Sequence, residues 1–277
     1  IYAVFGAITG MYGRTETRAR RFAHQTQGGV ILVLGVAIGV LLANSHVPPA
    51  VLVIAAVAFA TVGSVVTDYL VLKPEGPFYG VFALGAIATV PAGRVAPSSA
   101  ILLCAATALL CVLLGVLDAP RAMTPTIRLS LPNHRDVLVH AGRYALAITA
   151  AGTAGLALGV DHANWAIAAA AGPLAAADAS GRIRRGIHRL GGTFIGLAVA
   201  AALLVPGPSE YVLAICVMVL LFPTELFMAH HHAVALGFFT PLIMLMTDLA
   251  APTEPLVLLA ARGIDTIIGV TAAIVVS

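Results

Sequence analysis

Two oppositely charged residues lie inside an otherwise apolar stretch near the end of the chain. Arg262 and Asp265 are three positions apart in the segment 255–276, so on a helix they share one face. A charge in the hydrocarbon interior costs at least ~2.5–3.5 kcal/mol, and such side chains mark paths for substrates or protons. We expect Arg262 to bind an anionic group and Asp265 to carry a proton. A structural ion pair that holds this helix to its neighbours is the alternative.

Two prolines predict broken backbone inside the membrane. Pro91 follows Val90, and Pro241 follows Thr240, each within an apolar run. A proline in a helix interior leaves a carbonyl without its N–H partner, and in lipid that carbonyl must face protein or a water-filled cavity. Breaks at corresponding positions of two halves point to a transport site. We expect Pro91, Thr240 and Pro241 to line the substrate site; ordinary proline kinks are the alternative.

A further polar group follows the apolar run at 211–228. Glu225 lies near the end of this run, and three successive histidines occupy 230–232. Histidine titrates near neutral pH, so Glu225 or one histidine is a candidate proton relay. Successive residues on a helix point about 100° apart, which argues against a shared metal ion. A polar cluster at the cytoplasmic interface is the plainer interpretation.

Arginines gather at two breaks between apolar runs. We expect four of them to form a basic mouth on the cytoplasmic side that attracts anionic solutes. These are Arg21, Arg184, Arg185 and Arg189. The alternative is that they set the orientation of the chain and hold lipid phosphates.

The composition indicates which elements must position these residues. Of 277 residues, 60% are hydrophobic and 10% are charged, against about 45–50% and about 25% in soluble domains. The net charge of +3 is too small to indicate a nucleic-acid partner. All three cysteines lie in apolar runs, which argues against disulfides and zinc. P-loop, nucleotide, metalloprotease and hydrolase motifs are missing, so we expect no cofactor, no metal and no enzymatic activity.

These properties predict an all-α polytopic membrane protein, with the lipid bilayer as its surroundings. The predicted spans are 1–12, 28–44, 50–67, 78–92, 99–117, 141–160, 165–178, 190–205, 211–228, 232–247 and 255–276. Basic residues occur in alternate breaks, apart from Arg94. Under the positive-inside rule the arginine-bearing breaks are cytoplasmic.

The chain also resembles itself. Residues 2–29 align with 165–192 without gaps: each has an aromatic residue, a helix breaker, an arginine-rich hinge and a Gly-Gly pair. An even number of crossings separates the copies, so they form two parallel-oriented repeats of about six helices. A chance likeness between apolar helices is the alternative. The helix that corresponds to 255–276 has Ala108 and Cys111 in place of the charged pair.

The repeat divides the chain into three parts. These are a first transmembrane repeat, a cytoplasmic linker and a second transmembrane repeat, at 1–117, 118–140 and 141–277. Because 141–160 has no counterpart in the first copy, we expect one helix of that copy to be missing from this chain.

Four motifs in the second half carry a resemblance to a known family. They are NWAI at 164–167, HRLGGT at 188–193, FFTPL at 238–242 and ARGIDTIIG at 261–269. They resemble the fusaric acid resistance (FUSC) domain of aromatic acid exporters. The resemblance implies efflux through the bacterial inner membrane, driven by the proton gradient, and a cytosolic region beyond Ser277. It also maps the family's Arg, Asp and Thr-Pro residues onto Arg262, Asp265, Thr240 and Pro241.

We therefore expect an inner-membrane efflux transporter of amphipathic organic anions, such as aromatic carboxylic acids, coupled to protons. Distant relatives include plant malate-permeable anion channels, so a passive organic-anion channel is one alternative. A membrane-embedded enzyme or envelope-assembly protein that uses the Glu225 cluster is another. A homo-oligomer is compatible with these features.

Overall fold

The chain is helical throughout the part that the structure describes. The computed structural model describes residues 1–14, 16–45, 47–93, 95–118, 132–158, 163–176, 178–228 and 231–277. Within these ranges it contains eleven α-helices, one 3₁₀ turn at Ile8–Met11 and no strand. The helices are α1 Tyr2–Ala7, α2 Arg18–Asn44, α3 Pro49–Tyr69, α4 Phe78–Ala88, α5 Pro97–Asp118, α6 His134–Ala157, α7 Ala163–Leu174, α8 Ala179–Leu204, α9 Glu210–Met228, α10 His232–Ala250 and α11 Pro255–Val276. The predicted all-α membrane class is confirmed, while Arg94, His230 and most of the predicted linker lie outside the described residues.

In the described ranges, seven helices are long and apolar enough to cross a membrane. They are α2, α3, α5, α8, α9, α10 and α11. A span needs about 20 residues to cover the hydrocarbon core, whereas α4 has 11 residues and α7 has 12. The apolar runs predicted at 1–12, 78–92 and 165–178 therefore correspond to short helices rather than full spans. The 24-residue α6 is not among the seven, because its first turns are polar.

Two of the short helices are enclosed by protein. Nine of the eleven residues of α4 are buried, and so is every residue from Asn164 to Leu174 in α7. A helix that ends at membrane depth leaves terminal N–H and C=O groups that lipid cannot satisfy, so its surroundings must be protein. Both sequences suit this position, since α4 is apolar on all sides and α7 is rich in alanine.

The chain forms two compact units, Ile1–Leu146 and Ala147–Ser277. In the first, α2 packs against α4 and α5, α1 packs against α5, and α3 packs against α4. In the second, α8 packs against α10 and α11, α7 packs against α11, and α9 packs against α10. The order of partners is the same in each unit, as the predicted repeat requires; the repeat itself stays a prediction.

The boundary between the units falls inside α6. This helix begins at His134, so residues 134–140 form its first turns rather than the end of the predicted linker 118–140. Its start is fixed within the first unit, where the His140 Nδ1 lies 2.7 Å from a carboxylate oxygen of Asp68 at the end of α3. The neighbouring Tyr69 hydroxyl forms a hydrogen bond with His134.

Small residues allow the closest helix contacts in both units. A G-x-x-x-G spacing occurs at Gly35 and Gly39 in α2 and again at Gly192 and Gly196 in α8. A Cβ added at Gly35 would lie 2.5 Å from a backbone oxygen of α4, and one at Gly192 would lie 2.5 Å from the Ala233 oxygen of α10. No side chain fits at either point.

Helices α1 and α5 approach each other as closely as the helix pairs at Gly35 and Gly192 do. A Cβ at Gly6 of α1 would lie 2.4 Å from the Cys104 oxygen and 3.1 Å from the Ala108 nitrogen of α5. The backbones of α1 and α5 therefore touch, and Ala108 itself is buried at this contact.

Candidate substrate site in the second unit

Arg262 and Asp265 lie on the buried face of α11. Their side chains are 1% and 0% exposed. The buried positions of this helix recur every three or four residues from Leu258 to Ala273, which is the period of a helix with one face turned to protein. The helices that cover this face are α7 and α8.

The two charged side chains are buried with few hydrogen bonds. In the described part of the chain, both carboxylate oxygens of Asp265 lack a hydrogen-bond partner, and so do the Nε and Nη1 atoms of Arg262. Among the residues that the structure describes, no ion pair within 4.0 Å joins the two side chains. A buried charge without a close partner is destabilising. The structure therefore shows no direct ion pair between the two side chains, and both the functional and the structural interpretation stay predictions.

The guanidinium of Arg262 packs on an aromatic ring. Its Cζ atom lies 5.3 Å from the ring centroid of Trp165, which is 1% exposed and is the third residue of α7. This distance is in the range of a cation–π interaction. The contact joins two helices far apart in sequence. The sequence signalled Trp165 as part of the NWAI motif and of the repeat, and not as a partner of Arg262.

Thr240 and Pro241 lie on α10 where it touches α8. Thr240 is fully buried, and its hydroxyl has no hydrogen-bond partner. A Cβ at Gly196 of α8 would lie 2.6 Å from the Thr240 Cβ and 3.0 Å from both the Pro241 Cδ and the Gly237 oxygen. Gly237 is four residues before Pro241, so its carbonyl is the one that loses its N–H partner. This freed carbonyl faces α8, as expected of broken backbone in a membrane.

The same turn of α8 contacts α11. A Cβ at Gly263 would lie 3.6 Å from the Leu197 Cδ1, next to the glycine that contacts Thr240. One turn earlier, the buried hydroxyl of Thr193 also lacks a partner. The second unit therefore contains four buried polar side chains on α8, α10 and α11, those of Thr193, Thr240, Arg262 and Asp265.

Pro91 does not have the position that the sequence predicted. Helix α4 ends at Ala88, and Pro91 is exposed beyond that end rather than inside the helix. A residue before proline avoids the helical conformation, and Gly93 at φ +85° completes a turn. In the first unit Pro91 lines a small cleft together with Tyr2 and Asn44. The prediction of matched prolines in two helix interiors is therefore wrong for Pro91.

Glu225 is half-buried near the end of α9. Two residues later, Phe227 stacks on Phe238 of α10 with ring centroids 6.0 Å apart. His231 is exposed, and His230 lies outside the described residues. A role for Glu225 in proton transfer stays a prediction.

The arginines predicted to form a basic mouth differ in their environments. Arg184 is exposed and Arg185 is half-buried, but Arg189 is only 1% exposed. A Cβ at Gly172 of α7 would lie 2.8 Å from the Arg189 Nη1. Arg189 is thus a buried residue packed against α7, and its assignment to a solvent-facing mouth is wrong, because it lies on the face of α8 that turns inward.

Arg21 is also largely buried. Within the first unit it is 9% exposed, and its Nη1 lies 3.5 Å from a carboxylate oxygen of Asp118.

The sequence did not single out Arg182 as a structural residue. Its guanidinium donates to the Ala176 oxygen at 3.2 Å and the Ser277 oxygen at 3.3 Å, so it holds the ends of α7 and α11 together.

The second unit matches a known family. Residues 147–276 match the family model described as fusaric acid resistance protein-like. The chain is also similar to the uncharacterized membrane protein YvaC of Bacillus subtilis (strain 168), with 29% identity over 112 residues. That match covers 40% of this chain and 18% of YvaC, so the chain spans only a small part of its relative. No solved structure matches the chain significantly. The chain is a membrane protein whose second unit, with Arg262 and Asp265, resembles the fusaric acid resistance protein-like family, as its motifs predict.

Proposed function

We propose that this protein exports amphipathic organic anions, such as aromatic carboxylic acids, across the bacterial inner membrane in a proton-coupled manner. The family match of the second unit supports a membrane transporter. The observation that carries the proposal is the buried pair Arg262 and Asp265: among the described residues nothing hydrogen-bonds to the Asp265 carboxylate oxygens or to the Nε and Nη1 of Arg262. A site of this kind is retained at a cost in stability, which function explains better than packing.

Each charged residue has a distinct role in this proposal. Arg262 binds the carboxylate of the substrate, because a guanidinium donates charge-assisted hydrogen bonds to carboxylates. Asp265 lies three residues along the same helix face, so gaining or losing its proton changes the charge next to the bound anion. Anion affinity and protonation are thereby linked, which lets a proton gradient act on substrate movement. Thr240 and the backbone at Pro241 line the site from α10.

Transport in vesicles tests this proposal. Inside-out vesicles that contain the protein take up radiolabelled benzoate, with pH gradients of either sign or none. We expect uptake to respond to the gradient in the wild type and not in Asp265→Asn, and to fail in Arg262→Gln. Asp248→Asn, a matched change at the end of α10, should leave the response intact.

Two outcomes contradict this assignment. Benzoate flux that ignores the pH gradient and dissipates like a leak indicates a passive anion channel. Gradient-driven uptake that survives unchanged in Asp265→Asn removes the proton-coupling role from Asp265 and leaves the transport function in place.

A further inference from the structure

The start of α7 supplies further groups at the site of Arg262. We propose that the first turn of α7 completes an anion-binding site with Arg262, in which Asn164 donates a hydrogen bond and Trp165 forms an aromatic wall. This inference rests on the proposed function for the identity of the transported anion, but it assigns binding roles to residues outside α11.

The first turn of α7 lies beside the guanidinium. Trp165 is the third residue of this 12-residue helix, and its ring packs on Arg262 at 5.3 Å. The first N–H groups of a helix have no acceptor within the helix and carry the positive end of its dipole. Arg262 lies seven residues into α11, about 10 Å along that helix. The contact with Trp165 therefore brings the guanidinium, about two turns into α11, to the first turn of α7.

A second, independent observation comes from Asn164. It is 2% exposed, and within the described ranges neither its Nδ2 nor its Oδ1 has a hydrogen-bond partner. Buried amides are almost always hydrogen-bonded. An amide without a partner, one residue before the tryptophan that packs on Arg262, therefore suits a site that lacks its ligand. Both Arg262 and Asn164 supply N–H donors, and the helix end adds positive potential. Such a set of donors suits a carboxylate.

The contact between Arg262 and Trp165 leaves part of the guanidinium available for hydrogen bonds. A guanidinium that packs on a ring can still donate from its edge to a carboxylate, and its Nε and Nη1 have no partner among the described residues. The two interactions therefore do not compete. A ring attached to the carboxylate comes within reach of the indole, so aryl acids should bind about tenfold more tightly than small aliphatic acids.

The protein carries its own reporter for this site. Trp165 is the only tryptophan of the chain, so the intrinsic tryptophan fluorescence of the full chain in lipid nanodiscs reports on Arg262. We expect benzoate to change this fluorescence saturably, with acetate needing about ten times the concentration. Benzyl alcohol has the same ring without the charge and should have no saturable effect.

Substitutions at Asn164 separate a site from an accidental contact. Asn164→Asp has nearly the same shape but places a negative charge on the anion, so benzoate affinity should fall by tenfold or more. Asn164→Ser removes the amide donor without adding charge and should weaken binding several-fold. Asn44→Asp, an exposed position at the end of α2, is the matched control and should bind like the wild type. Fluorescence spectra without ligand and size-exclusion profiles verify folding.

Failure of this inference is distinguishable from failure of the exporter. If vesicles transport benzoate but tryptophan fluorescence does not respond, or Asn164→Asp and Asn164→Ser bind like the wild type, the site at α7 is overturned and the exporter stands. If benzoate binds and both substitutions weaken it, but vesicles show no flux, the anion site stands and the exporter is wrong.

Discussion

Arg262 and Asp265 occupy an environment that penalises both of their charges. The residues around them supply no hydrogen bond to either carboxylate oxygen of Asp265. The pattern of the sequence could predict this pair, because two charges in an apolar run are rare and costly. The NWAI motif singled out Asn164 and Trp165 only as part of a family resemblance, and their proximity to Arg262 could not be predicted because the ring contact joins separate helices.

The first prediction concerns the stability cost of this pair. Replacing both residues, as in Arg262→Met/Asp265→Asn, should raise the free energy of unfolding by roughly 1–4 kcal/mol, because buried charges are exchanged for uncharged groups of similar size. The same variant should not transport benzoate. Thermal unfolding in detergent measures the stability. A lower unfolding temperature would instead assign the pair a structural role.

Short helices are the elements that the sequence described least well. The apolar runs 78–92 and 165–178 were expected to span, but α4 ends at Ala88 and α7 ends at Leu174. Hydropathy measures how apolar a run is and not where its backbone leaves the helix. The turn around Pro91 and Gly93 decides the end of α4, whereas the longer helices were predicted to within a few residues at their apolar ends.

The packing of α7 on α11 gives the second prediction. A Cβ at Gly269 would lie 2.2 Å from the Ala166 oxygen of α7, so Gly269→Ala must push the two helices apart. We expect a loss of about 1–3 kcal/mol in stability, with weaker benzoate binding since Trp165 shares α7. Gly191→Ala in α8 is the matched control: its added methyl meets nothing within 4 Å and should be neutral or slightly stabilising.

The start of α8 gives the third prediction, which concerns pH. Asp178 caps this helix by accepting hydrogen bonds from the Gly181 N–H and the Ser180 hydroxyl. The hydroxyl bond first, and then the backbone bond, hold the pKa of Asp178 below its usual value. A lowered pKa in the folded state means that the ionised cap stabilises the fold above about pH 4. That contribution is lost as the pH falls through the lowered pKa.

Thermal unfolding measured across pH tests whether the stabilisation by the Asp178 cap is lost on acidification. Asp178→Ala should unfold at a lower temperature than the wild type at pH 7, and the difference should shrink as the solution is acidified. Asp178→Asn keeps a capping oxygen and should lie between them. A difference that grows toward acid pH contradicts the capping role.

At the scale of the whole molecule, the helical membrane class follows from hydropathy alone. The division into two units at residue 146 does not follow from hydropathy, because the boundary falls inside the continuous helix α6. The identical order of helix partners in the two units was foreseeable only from the alignment of 2–29 with 165–192. Arg184 is exposed and Arg189 is buried, a difference that the charge pattern of the sequence does not reveal.

Orientation in the membrane is the fourth prediction. In a variant without the three native cysteines, Ser209→Cys reports the α8–α9 connection and Ser180→Cys reports the start of α8, both exposed positions. The arginine distribution predicts that a membrane-impermeant thiol reagent labels Ser209→Cys in intact cells. Ser180→Cys should react only after permeabilisation. The reverse pattern contradicts the predicted topology.

The contact of α1 with α5 has a consequence for stoichiometry. At Gly6 the backbones touch beside Ala108, the position that the repeat pairs with Arg262, so a guanidinium has no space there. However alike the two units are in helix order, the charged site lies in the second alone within the residues that the structure describes. Each chain should therefore bind a single benzoate, with a hyperbolic calorimetric titration and no cooperativity between the units.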